Sequence, residues 1–259
     1  MFLAIDVGNT QSTLGLFDDE GQLAKGWRMT SNASDTSDML HARLFSYFLK
    51  DGYELADVSA AAVASVVPAL TRAWWRCLGD LLGRSPLLVN ATHDYGMPID
   101  MPNPRTVGAD RIANAIAARN AYGSPVIVVD FGTATNIDVV DDRGAYRGGA
   151  ISPGLMLSAN ALFSKAAKLA SIPVEAPEHA LGDTTETAMQ SGLVIGAAAQ
   201  AEGLVSRMKA ELGIEQAKVI GTGGLARTVG RATDLFDAVD PTLTLRGIRE
   251  IWLQQHGGA

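Results

Sequence analysis

The chain contains its own opening twice, and that repeat constrains the fold more than any other feature. Phe2-Leu-Ala-Ile-Asp-Val-Gly-Asn-Thr10, followed by Gln11–Phe17, is matched half a chain later by Val126–Gly132 and the run that continues to Val140. Asp6 and Gly8 correspond to Asp130 and Gly132. Asn9 and Thr10 stand in the place of Thr133 and Ala134, and Asp18-Asp-Glu-Gly21 is echoed by Asp141-Asp-Arg-Gly144. Each copy is an apolar β-branched run, a short Gly-containing bend and a second alternating run, which is the pattern of strand, tight turn, strand. A period of about half the chain means two related domains and not a solenoid. The expected division is 1–118 and 119–259.

The bend has a definite chemistry. Gly lets the backbone turn sharply and approach a ligand with successive N–H groups exposed. Asn and Thr add short donors suited to phosphate oxygens, and Asp supplies a hard oxygen for a hydrated Mg²⁺. An ordinary hairpin also uses Gly and Asn. Two copies in register, each after a buried-looking strand, favour the ligand reading.

Composition bounds the rest. With 259 residues, 47% hydrophobic and 19% charged, the chain has the make-up of a well-packed globule. Its net charge of −7 argues against nucleic-acid binding, which needs a basic surface. One cysteine, Cys77, excludes a disulfide framework and fits a reducing cytosol. No apolar run reaches the length of a membrane span, so no membrane partner is expected and the location is read as cytoplasmic.

Taken in order, strands are expected at 2–8, 11–17 and 23–29, then a helix capped by Ser34 or Asp35, a strand at 58–67, a helix at 69–82 and a short strand at 85–90. An irregular loop over 91–107 leads to an alanine-rich helix at 107–118, with Asp110 near its start. The second half repeats the order: the 126–140 hairpin, a strand at 146–151, a helix from Ser152-Pro-Gly154 through about Leu169, an irregular 171–184, and a long helix from Thr185 to Leu212. Lys218–Leu225 reads as a strand ending in a Gly-rich turn, and a closing helix is expected at 247–255. Trp74 and Trp75 read as core or interface residues.

This motif set resembles the actin/sugar-kinase/Hsp70 ATPase superfamily, and within it the type III pantothenate kinases. Asp6-Val-Gly-Asn-Thr10 is similar to that family's first phosphate motif and Asp130-Phe-Gly-Thr-Ala-Thr135 to its second. Gly108-Ala-Asp-Arg111 resembles its substrate and catalytic motif, and Gly221-Thr-Gly-Gly224 its adenosine motif; Gly149–Gly154 and Thr185–Gly192 stand in the expected order. The resemblance covers essentially the whole chain. It implies an α/β fold of two related ribonuclease H-like (actin-like ATPase) domains, each with a mixed β-sheet flanked by helices. It also implies ATP-dependent phosphorylation of pantothenate to 4′-phosphopantothenate, the first step of coenzyme A biosynthesis.

The roles follow from the same resemblance. Asp6, Val7, Gly8, Asn9, Thr10, Gly132, Thr133, Ala134, Thr135, Gly221, Thr222, Gly223 and Gly224 would bind ATP. Asp6 would hold Mg²⁺ through water, and Asp130 a monovalent cation, K⁺ or NH₄⁺. Met101, Gly108, Ala109, Asp110, Arg111 and Thr185 would line the pantothenate site. Read alone, Asp110 is a helix cap; the motif makes it the general base. Arg111 is either a carboxylate fork or a surface ion pair, and for Thr185 an N-cap role competes with a substrate role. The small-residue helix at 193–204 suits close helix packing, and the family implies a homodimer. One departure stands out: the family's Tyr-x-Asn-Pro is Met101-Pro-Asn-Pro104 here, which fills the Tyr volume without its hydroxyl. The alternatives are a kinase for another small hydroxylated substrate, or a non-catalytic, ATPase-like transcription accessory protein.

Overall fold

The repeat is realised as two five-stranded mixed sheets built on one plan. The computed structural model describes residues 1–165 and 171–257. The chain divides into two compact units, one of 1–96, 103–117 and 243–259 and the other of 97–102 and 118–242. The first contains β1 (Phe2–Val7), β2 (Gln11–Phe17), β3 (Leu23–Thr30), α1 (Ser37–Asp51), β4 (Ala60–Ser65), α2 (Pro68–Leu82), β5 (Leu87–Leu88), α3 (Ala109–Tyr122, which runs on into the second unit) and α8 (Leu243–His256). The second contains β6 (Val126–Phe131), β7 (Ala134–Val140), β8 (Tyr146–Pro153), α4 (Leu155–Lys165), α5 (Thr185–Gln190), α6 (Gly196–Leu212), β9 (Lys218–Thr222), α7 (Ala226–Val229) and β10 (Ala238–Val239). Sheet order is β3-β2-β1-β4-β5 in one and β8-β7-β6-β9-β10 in the other.

The copies agree down to their irregularities. β1 pairs antiparallel with β2 and parallel with β4; β6 does the same with β7 and β9. The ladder to the third strand slips between Leu16 and Phe17 in one sheet and between Val139 and Val140 in the other. Counting back from those bulges, Gln11 matches Ala134, so the first bend has three residues (Gly8-Asn9-Thr10) and the second two (Gly132-Thr133). Ala134 therefore belongs to a strand, Thr10 matches Thr133, and Asn9 has no counterpart.

Strand period two decides what each face meets. In β1, Leu3, Ile5 and Val7 join a core with Leu40, Leu44 and Phe48 of α1 and Leu70, Trp74, Cys77 and Leu78 of α2. The opposite face carries Phe2, Ala4 and Asp6, and there Phe2 meets Trp252 of α8 with ring centroids 5.1 Å apart. β6 repeats this: Ile127, Val129 and Phe131 pack with Leu155, Val194, Ala198 and Val205, which leaves Asp130 on the other face. Cys77 is buried, and desolvation pushes its thiol up to about 12. No helix among the described residues is long and apolar enough to cross a membrane.

Several expectations are corrected. The last helix, assigned from sequence to the second half, packs on β1 and β4 of the first unit. It starts at Leu243, directly after a turn in which Asp240 accepts the Thr242 N–H at 3.0 Å. Helix α1 is capped by Thr36, whose hydroxyl accepts the Met39 N–H, while Asp35 is buried in an ion pair with Arg43. The long helix over 185–212 contains a π-helical segment, Ser191–Ile195. α7 had no helical signal in its four residues, and the expected helix beyond 165 lies outside the described residues.

Candidate active site

In the first unit the bend after β1 is closed by the Gly8 N–H donating to the Gln11 carbonyl at 3.0 Å. Asp6 is half-buried, two residues before that bend, and Asn9 and Thr10 are exposed on it. The bend and the start of α3 share one end of the sheet. Val66 N–H donates to the Val7 carbonyl at 3.1 Å, and a methyl group built on Gly108 would lie 3.7 Å from a Val66 side-chain carbon.

Asp110 is the second residue of α3 and not the residue before it, so it is not the cap that sequence alone suggested. Its Oδ1 accepts the Arg111 N–H at 2.9 Å. A Cβ at position 108 would approach the same oxygen to 2.5 Å, so Gly108 makes room for the carboxylate. Burial pushes this carboxyl above the ordinary Asp range, against the opposing pull of the Arg111 amide and guanidinium. The result is a half-buried carboxylate with enhanced basicity next to a guanidinium.

In the second unit the Gly132 N–H donates to the Ala134 carbonyl at 3.0 Å, and Gly132 and Thr133 are exposed. Asp130, half-buried, lies against the turn after β9. A Cβ on Gly223, at φ +89°, would fall 2.4 Å from Asp130 Oδ1 and 2.7 Å from the Phe131 carbonyl. Only glycine permits that approach. Gly224 is exposed with open space above its Cα. Thr222 is buried and its hydroxyl donates to the Asp240 carbonyl at 2.7 Å. Thr135 is likewise buried, within β7. These two threonines are not on the exposed bends that hold Asn9, Thr10 and Thr133.

Met101 belongs to the second unit. Segment 97–102 runs beside Tyr146, with Tyr146 N–H donating to the Pro98 carbonyl and Asp100 N–H to the Tyr146 carbonyl. Arg143 and Arg147 each reach both Asp100 and Asp141 and pin the segment. Burial resists ionisation of Asp141, but the Ala145 amide and these guanidiniums hold its carboxyl below the usual range. The Met101 thioether lies 3.5 Å from where a Gly148 Cβ would be. Thr185 is exposed at the start of α5, and the cap is Thr184, which forms a capping box with Thr187.

The model of the type III pantothenate kinase family matches residues 2–207, a span that holds both Asp-x-Gly bends and Gly108–Arg111. The chain belongs to the type III pantothenate kinase family. A type III pantothenate kinase of Moorella thermoacetica is 42% identical over 252 residues, covering 97% of this chain and 98% of that one. Another, of Agathobacter rectalis, is 40% identical over 256 residues, covering 99% and 98%. Among solved structures, a Baf family transcriptional activator from Campylobacter jejuni aligns over 99% of this chain and 100% of its own, with TM-score 0.65 and 18% identity. The activator of 2-hydroxyisocaproyl-CoA dehydratase from Clostridium difficile, with bound ADPNP, aligns over 98% and 94% at TM-score 0.61 and 13% identity. At those identities the likeness is one of fold, and the actin-like ATPase architecture is the one this family member adopts.

Sequence reading passed over Ser31 and took Gly154 only as the end of a motif and the lead-in to a helix; both touch the bends directly. Ser31 N–H donates to the Thr10 carbonyl at 3.0 Å and Gly154 N–H to the Thr133 carbonyl at 3.1 Å. The repeat could have found them, had it been followed past the third strand.

Proposed function

We propose that this chain transfers the γ-phosphoryl group of ATP to the hydroxyl of pantothenate, giving ADP and 4′-phosphopantothenate at the first step of coenzyme A synthesis. Membership of the family supports the reaction. The observation that supports the residue roles is the half-buried, basic Asp110 carboxylate next to Arg111 in α3.

In this reading Asp110 accepts the proton of the pantothenate hydroxyl as its oxygen attacks the γ-phosphorus and the bond to the bridging ADP oxygen breaks. Arg111 offers a planar fork to the pantothenate carboxylate. The bend residues Gly8, Asn9, Thr10, Gly132 and Thr133 give N–H and hydroxyl donors to the phosphates, and the Gly223-Gly224 turn gives adenosine an approach free of side chains. Met101 supplies apolar volume at the place of the tyrosine in the motif that this stretch resembles. Thr135 and Thr222 are left as structural residues.

Metal fits the donor set. A bound Mg²⁺ would neutralise phosphate charge, and it commonly keeps several waters with one or two carboxylates and substrate phosphates. The single carboxylate of Asp6 suits that outer role. Asp130 Oδ1 and the Phe131 carbonyl, both close to Gly223, suit a monovalent cation. A cytoplasmic homodimer completes the proposal: Ile151, Met156 and Leu157 are large exposed apolar residues, and Gly192, Gly196, Ala199 and Gly203 form an exposed small-residue face along one helical run. Light scattering of the purified protein measures that mass directly.

The reaction is tested by coupled measurement of ADP formation with and without pantothenate. Pantothenate-dependent ADP release is expected. Turnover with simple sugars or acetate and none with pantothenate would sink the substrate assignment. The same assay with K⁺ and NH₄⁺ rigorously replaced by Na⁺ tests the cation: activity is expected to fall, and full activity in Na⁺ alone removes the claim.

A further inference from the structure

Both bends are fastened by the same bond, from equivalent places in the repeat. Thr30 is the partner of Gln11 on β3, and Pro153 is the partner of Ala134 on β8. The next residue in each case, Ser31 or Gly154, donates its amide to the last carbonyl of the bend, that of Thr10 or Thr133. In a planar trans peptide the carbonyl and the following N–H point in opposite directions. Fixing the Thr10 and Thr133 carbonyls therefore fixes where the Gln11 and Ala134 N–H groups point.

The surroundings of the two donors differ. Ser31 Oγ is 2.8 Å from Ser12 Oγ, and Ser12 is buried. The loop that follows Ser31 is closed by Arg43 donating to both oxygens of buried Asp35. Gly154 leads directly into α4 and has no spare room. A Cβ there would lie 2.2 Å from the Thr133 carbonyl oxygen and 2.5 Å from that of Gly132. Those are backbone atoms, so the bend itself would have to move.

We propose that Ser31 and Gly154 are positioning residues for the nucleotide: their amides hold the last carbonyl of each bend and so aim the N–H groups that directly follow it, those of Gln11 and Ala134, at the phosphates. The proposal rests on the reading of both bends as ATP-binding. Gly154 is the stricter of the two, because it also excludes a side chain from the space that the bend occupies.

Steady-state kinetics of Gly154→Ala, Ser31→Pro and Ser31→Ala test it. Displacing the bend by about an ångström is enough to change KM for ATP by roughly 10-fold or more. Gly154→Ala is expected to show that rise while KM for pantothenate stays within about twofold. Ser31→Pro, which deletes the amide, should act in the same direction, and Ser31→Ala, which keeps it, should fall well short of that. A folded Gly154→Ala with unchanged KM for ATP overturns the proposal, as does an equal rise for both substrates. Should the variants not fold, amide hydrogen exchange of the wild type decides. Ser31 and Gly154 amides are expected to be protected, and more so with ADP bound; exchange at solvent rates, unaltered by ADP, overturns the proposal. A wild type without pantothenate-dependent ADP release would instead sink the kinase reading, which separates the two failures.

Discussion

The two hairpins share a register, a third-strand bulge and an amide latch, yet they present different chemistry. The first bend is one residue longer and carries Asn9 and Thr10, both exposed. The second carries only Thr133 and is crowded by Gly154 on one side and by Gly223, against Asp130, on the other. The first sheet also brings α3, with Asp110, to the end where its bend lies. One backbone solution is used twice, with a longer bend and the Asp110 carboxylate of α3 in one unit and a tighter turn in the other. The Asp retained in each, facing away from the main helical core, marks what both copies still have in common.

That contrast can be broken most sharply at Asp110. Asn keeps the shape of the side chain and loses the basic carboxylate, so kcat is expected to fall by roughly 10²–10⁴-fold. Since burial raises this carboxyl's folded-state pKa above its unfolded value, ionisation opposes folding. The penalty is absent below the unfolded pKa and grows as pH rises through the folded one. Asp110→Asn is thus expected to melt no lower than wild type at neutral pH, and to lose the acid limb of the kcat/KM profile. Wild-type-like turnover would return the residue to a structural role.

A smaller effect separates the two hairpin acids. Asp6→Asn is expected to lower activity about 10–100-fold, the range for losing an outer-sphere metal partner, and to raise the Mg²⁺ requirement. Asp130→Asn should leave the Mg²⁺ requirement in place and alter the response to K⁺. If the two variants have the same ion profile, the hairpins are not specialised in this way.

The mildest contrast lies at the start of α5. Thr184→Ala removes a capping box and is expected to cost about 1 kcal/mol of stability, read as a lower melting temperature. Thr185→Ala should leave stability unchanged, so any rise in KM for pantothenate there reports substrate contact alone.

How much of this was legible depended on whether a signal was local. The hairpins were readable because alternation, Gly bends and the repeat reinforce one another. The return of α8 to the first sheet was not, because no residue near 243 encodes which of two similar sheets it covers; Phe2 meeting Trp252 is a contact across nearly the whole chain. Caps were placed within one or two residues: Thr36 instead of Ser34 or Asp35, and Thr184 instead of Thr185. Several adjacent Ser, Thr and Asp residues could serve at each start, and tertiary bonds such as Asp35 with Arg43 choose among them. At the candidate site, the residue types of the bends were visible, but the burial of Thr135 and Thr222 and the bonds from Ser31 and Gly154 required the neighbouring strands.

The sealed Cys77 has a practical side. Its thiol, protonated at any working pH and packed among Leu70, Trp74 and Leu78, offers nothing to an alkylating dye. The native chain is therefore a ready background for site-directed labelling. A single cysteine introduced at an exposed position, Asn9 in one bend or Thr133 in the other, would be the sole reactive sulfur in the folded protein and would report on each hairpin separately.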